Sequence, residues 1–112
     1  MKLRIEDDTL RLRLSEAEVQ EFATAGRVEA AVHFGAAAGQ RLTYALERAA
    51  AGAAAPAAVQ VRYAPGALTV LVPVAVATAW TTTDQNGFSE RVALADARQL
   101  RILVEKDLDC RH

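Results

Sequence analysis

A chain of 112 residues with 13 Lys and Arg against 14 Asp and Glu, 52 % hydrophobic and 5 % aromatic, has the size of one compact domain and excludes a multidomain enzyme. Its formal charge of −1 supplies no global field to draw in phosphates, and no apolar run reaches the roughly 18 residues needed to span a bilayer. The single cysteine, Cys110, cannot close an internal disulfide, and the alternating start from Met1 to Asp7 is unlike a signal peptide, so the expectation is a cytoplasmic domain held by packing alone, without a cofactor.

From Lys2 to Leu14 the residues alternate. Leu3, Ile5, Leu10, Leu12 and Leu14 share one face, and Lys2, Arg4, Arg11 and Arg13 share the other, as in two strands. The polar turn Glu6-Asp7-Asp8-Thr9 between them makes a hairpin. Ser15 followed by Glu18 is a capping box, and the following residues keep helical propensity as far as Gly26, which predicts a helix over 16–25. Arg27 to Phe34 reads as a strand, Gly35 to Gly39 as a loop of small residues, and Arg41 to Arg48 as a strand with Leu42, Tyr44 and Leu46 on one face. Residues 49–58 are alanine-rich and broken by Gly52 and Pro56, and read as a linker.

Slid against itself by 58 positions without a gap, the chain repeats its pattern. Leu3, Ile5, Leu10, Leu12 and Leu14 fall on Val61, Tyr63, Leu68, Val70 and Val72. Ser15 falls on Pro73, which also opens helices, Phe22 on Trp80, Gly26 to Val28 on Asp84 to Asn86, and Leu42 to Glu47 on Leu100 to Glu105. Two fused β-β-α-β-β units follow, about 2–48 and 59–107, in a single domain over 1–112. Neither half alone has the apolar content for an adequate core.

Leu10-Arg-Leu-Arg-Leu-Ser-Glu-Ala-Glu-Val19, His33-Phe-Gly35, Arg41-Leu-Thr-Tyr-Ala-Leu-Glu47 and Leu100-Arg-Ile-Leu-Val-Glu-Lys-Asp107 resemble a small bacterial family of unknown function. That likeness implies no activity. Each half, with the Pro73 opener and Asp84-Gln-Asn-Gly87, is also similar to the swapped-hairpin AbrB/MazE type, in which two halves interleave into one barrel and many members bind DNA. That resemblance implies an α+β pseudo-twofold barrel with two short helices built from one chain.

Lys2, Arg4, Arg11 and Arg13 form the cation cluster best suited to hold an anion or nucleic acid. The competing reading, and the one preferred, is a solvated strand face whose charges meet Glu47, Glu105 or the turn acids. In the second half only Arg62 keeps its charge, since Arg11 becomes Thr69 and Arg13 becomes Leu71, which disfavours a symmetric grip on DNA. Leu71 and Leu103 make the second-half strands apolar on both sides and mark a candidate interface for a homodimer or another protein. Cys110 and His112, beside Asp107 and Asp109, have metal-ligand chemistry but too few donors for a structural zinc, and a terminal thiol lacks an oriented base. His33 is read as bonding a loop carbonyl, Glu16, Glu18 and Glu21 as serving the helix start, and Trp80 and Phe22 as core. The expected function is a non-catalytic interaction or assembly module, with a DNA-binding regulator or antitoxin-like protein of AbrB/MazE type as the alternative.

Overall fold

The computed structural model describes residues 1–50 and 58–107, so most of the alanine-rich connection, together with Cys110 and His112, lies outside the described residues. The described chain runs β1 (Lys2–Glu6), β2 (Thr9–Leu14), α1 (Glu16–Ala25), β3 (Arg27–His33) and β4 (Arg41–Arg48). It continues with β5 (Gln60–Ala64), β6 (Ala67–Val72), α2 (Val74–Thr82), β7 (Gly87–Ala93) and β8 (Gln99–Lys106). The class is α+β, as expected, and no helix among these residues is long and apolar enough to cross a membrane.

Local chemistry sets the helix limits. Ser15 accepts from the Glu18 N–H at 3.2 Å while the Glu18 carboxylate accepts from the Ser15 N–H at 2.9 Å, and Gly26, with φ 78°, closes α1 by donating to the Phe22 carbonyl. Burial pushes the Glu18 carboxyl up, but hydrogen bonds from the Met1 ammonium and from Ser15 outweigh it and hold the group below the ordinary carboxylate range. Helix α2 has no side-chain cap at Pro73, and its last turn is tied instead by the hydroxyls of Thr81 and Thr82 donating to the carbonyls of Ala77 and Thr78. Ser15→Ala is therefore expected to cost about 1 kcal/mol, read as a lower urea midpoint at unchanged slope.

The strands form two four-stranded sheets, ordered β1-β2-β8-β7 and β3-β4-β6-β5. Each sheet takes one hairpin from residues 2–48 and one from residues 60–106, joined by a central parallel pair, β2 with β8 or β4 with β6. The expected closed barrel is not found. Hydrogen bonding ends at β1 and β7 in one sheet and at β3 and β5 in the other. Val19 and Phe22 of α1 and Ala77 and Trp80 of α2 are buried in one core with side chains of both sheets, so helix side chains fill the space that a strand ladder would have to close.

The registers of the two sheets are congruent. Leu10 pairs with Ile102 and, 58 positions on, Leu68 pairs with Tyr44 in the same relation. Lys2 opposite Arg13 likewise corresponds to Gln60 opposite Leu71. The gapless alignment fails at one strand: Arg27 faces Glu47, whereas Gly87 faces Glu105, so β7 is displaced by two residues. The extra length falls between α2 and β7 and is removed again from the β7–β8 loop, and an even displacement leaves every side chain on its original face. Gly87 sits where a Cβ would lie 2.5 Å from the Val104 carbonyl, so only glycine fits at this strand start.

The inner faces of both sheets supply Leu12, Leu14, Val28, Leu46, Val70, Val72, Ile102 and Val104 to the core. Trp80 lies at its centre, edge-on to Phe22 at 5.9 Å and to Phe88 at 5.5 Å, with its indole N–H donating to the Asn86 carbonyl at 3.0 Å.

Candidate functional site

Because Leu10, Leu12 and Leu14 point into the core, the alternate residues of the β1-β2-β8-β7 sheet point outward. They form three cross-strand rows from β1 to β7: Lys2, Arg13, Glu105, Gly87; then Arg4, Arg11, Leu103, Ser89; then Glu6, Thr9, Arg101, Arg91. The four cations expected from the first hairpin are thus together, and the fold adds Arg91 and Arg101 to them.

Three pairs of cations stand directly opposite one another on this face, Lys2 with Arg13, Arg4 with Arg11 and Arg91 with Arg101, an arrangement that destabilises a sheet. Acids relieve two of the three. Glu105 takes a fork from Arg11, with Nε to Oε1 at 2.8 Å and Nη2 to Oε2 at 3.1 Å, and lies 3.8 Å from Arg13. The hydrogen bond from Arg11 to Glu105, and then the charge attraction, hold the Arg11 guanidinium protonated more firmly than usual. Lys2 donates to Asp107 at 3.0 Å, and Arg4 lies 3.7 Å from Glu6. The preferred pairing with Glu105 and a turn acid holds here, but Glu47 belongs to the other sheet, where it meets Arg27. Arg91 and Arg101 ion-pair with no acid among the described residues. A hollow of about 210 Å³ opens beside Arg101, lined by Arg4, Glu6, Thr9, Arg11, Arg101 and Leu103, with Arg91 opposite Arg101 on the next strand.

The outer face of the other sheet has the same register and a different character. Its corresponding rows read Gln60, Leu71, Glu47, Arg27; then Arg62, Thr69, Ala45, Glu29; then Ala64, Ala67, Thr43, Ala31. Arg27 bridges Glu29 and Glu47, which raises its pKa, the hydrogen bond it donates to Glu29 first and burial opposing it, and the centre of the face is small and neutral. Leu71 and Leu103 therefore lie on the outer faces of different sheets, each half-buried among polar neighbours, and do not form one patch.

His33 is exposed at the end of β3, and its imidazole bonds no loop carbonyl, contrary to expectation. The 34–40 loop satisfies itself instead, through Phe34 N–H to the Gln40 carbonyl at 2.7 Å and Gln40 N–H to that of Ala37 at 2.9 Å. Among the described residues no group of three or more His, Cys, Asp or Glu is placed to hold a metal ion.

A model of a family of unknown function, DUF7009, matches residues 1–112, in line with the family resemblance read from the sequence. No curated protein and no solved structure matches the chain, so the likeness of each half to the AbrB/MazE type gains nothing from them.

Proposed function

Since this chain belongs over residues 1–112 to DUF7009, a family of unknown function, we propose its role from its surface: a non-catalytic interaction module that binds an acidic protein segment on the outer face of the β1-β2-β8-β7 sheet. One observation carries the reading. Two sheet faces with congruent registers differ in charge, and at the cation positions the neutral one keeps a charge only at Arg62, the counterpart of Arg4, which supports a role other than folding for the remaining cations. Six cations against Glu6, Glu105 and Asp107 leave the charged face net positive on a chain of net charge −1. Leu103, in the middle row, adds an apolar contact; Leu71 lies outside this surface. The perturbed groups Glu18, Arg11 and Arg27 are each absorbed by a cap or an ion pair of the fold, which supports binding rather than proton transfer.

Four strands about 4.8 Å apart and three rows about 6.8 Å apart give a face of about 400 Å². That is below the roughly 800 Å² per partner of a standard interface, so the contact is transient and steered by charge. The same proposal takes the chain as one domain in which two copies of an ancestral β-β-α-β-β unit interleave in the swapped-hairpin manner. The constant 58-residue relation of the pairings supports this, together with matching backbone bonds, Arg101 to Asp8 and Thr43 to Gly66.

The test is fluorescence anisotropy with a labelled poly-glutamate peptide and with duplex DNA at low salt. The peptide is expected to bind, to be released at roughly 0.5 M salt, and to lose about tenfold in affinity on Arg91→Glu with Arg101→Glu but not on Arg62→Glu. Tighter binding of the duplex would assign the face to nucleic acid, the reading that Glu105 in its midst disfavours, and binding of neither would end the proposal.

A further inference from the structure

We propose that the outer row Thr9, Arg101 and Arg91, with Arg4 on the far side of the hollow beside Arg101, is a phosphate site, reading a phosphorylated side chain on the acidic segment; the inference rests on the interaction-module reading above. Arg91 and Arg101 stand directly opposite each other on β7 and β8, so two like charges are held about 5 Å apart at Cα with no acid paired to either among the described residues. A single dianion offsets both. A carboxylate would leave one charge over, whereas a phosphate monoester carries about −1.5 to −2 near neutral pH and three strong acceptor oxygens. Guanidinium groups match those oxygens in fork geometry, and all the cations of this site are arginines.

The surroundings fit the same ligand. Thr9, next to Arg101 in the row, brings a hydroxyl, and Arg4 contributes a guanidinium whose acid partner, Glu6, is 3.7 Å away and well exposed, hence easily displaced. Arg11 is turned to Glu105 and bounds the hollow as a wall. At about 210 Å³ the hollow is smaller than the roughly 300–1,000 Å³ of sites that enclose whole small molecules, which suits one tetrahedral group on a longer chain. Among the described residues β7, the strand next to Arg101, pairs with no further strand on its far side, so the segment carrying the phosphate can approach from that edge.

The experiment follows the arginine Nε–Hε resonances of the full chain by NMR at constant ionic strength, adding inorganic phosphate, an acidic peptide with one phosphoserine, or the same peptide with serine. Saturable shifts at Arg101, Arg91 and Arg4 are expected, stronger at about pH 7.5 than at about pH 5 because the second phosphate proton titrates near pH 6. The phosphopeptide is expected to bind about tenfold more tightly than its serine twin, Arg101→Gln to remove that advantage, and Glu6→Gln to increase it two- to threefold, roughly. Both positions are exposed, so an unchanged melting curve shows that the variants remain folded. Inorganic phosphate binding as tightly as the phosphopeptide would support the site with free phosphate as its source. Equal affinity for the two peptides, or shifts no larger than chloride produces, overturns the phosphate site while leaving the interaction module standing if poly-glutamate binds. Duplex DNA displacing the phosphopeptide with higher affinity would overturn both.

Discussion

Divided between β4 and β5, the chain is expected to yield two fragments, residues 1–50 and 58–112, that are each unfolded alone and fold on mixing. Every sheet is made of one hairpin from each fragment, and the only ladders joining those hairpins, β2 with β8 and β4 with β6, are between fragments. An isolated two-stranded hairpin is marginal in water, and α1 and α2 bury their apolar faces in a core to which both fragments contribute. Trp80 reports the outcome, because it is fully buried in the intact chain and packed on Phe22 of the other fragment. Its emission is expected to be that of a solvated indole in the second fragment alone and to shift to the blue on adding the first, with a midpoint that moves with concentration as mass action requires. A cooperative melt from either fragment alone, or a mixture that stays unfolded, would contradict the shared core and with it the reading of two interleaved copies.

What could be read from the sequence was what local chemistry determines. Ser15, Glu18 and Gly26 bound α1 over the residues expected, and the alternation from Lys2 to Leu14 places four cations on one face because a two-residue turn keeps both strands in phase. Beyond that range the signal fails. Leu10 and Ile102 are partners at a separation of 92 positions, and nothing in either strand states that β2 lies beside β8. Nothing in the sequence assigns Arg101 and Arg91 to the cluster of the first hairpin, because the pairing of β8 with β2 that brings them there is long-range. The same limit explains Leu71 and Leu103, alike in pattern and placed in different sheets. The displacement of β7 leaves no mark in the sequence because alternation is blind to an even shift, and His33 is not needed to close its loop because Phe34, Ala37 and Gln40 do so through backbone bonds.

Trp80→Ala is expected to be the most damaging single substitution in the core, costing about 3–5 kcal/mol. That is a large part of the roughly 5–15 kcal/mol that holds a domain of this size together, so the variant should melt far below the parent or be unfolded at 25 °C. The indole joins three elements: its own helix α2, Phe22 of α1 and Phe88 of β7, both in edge-on contact. Removing it leaves a void that a core built from two sheets and two helices cannot collapse without moving one of them. Trp80→Phe separates packing from hydrogen bonding. It forfeits the N–H donated to Asn86, yet that carbonyl keeps the bond from the Lys106 N–H at 2.8 Å and is not orphaned, so the cost should be about 1–2 kcal/mol. Urea titration of the two variants measures the difference, and equal losses would show that the hydrogen bond rather than the ring matters here. The functional consequence follows from the position of Phe88. It fixes β7, the strand that carries Arg91 to the open corner of the cationic face. Phe22→Leu, which loosens the same aromatic group from the other side, should therefore weaken anion binding at Arg91 before it unfolds the chain, with the resonances of Lys2 and Arg13 at the far corner left in place.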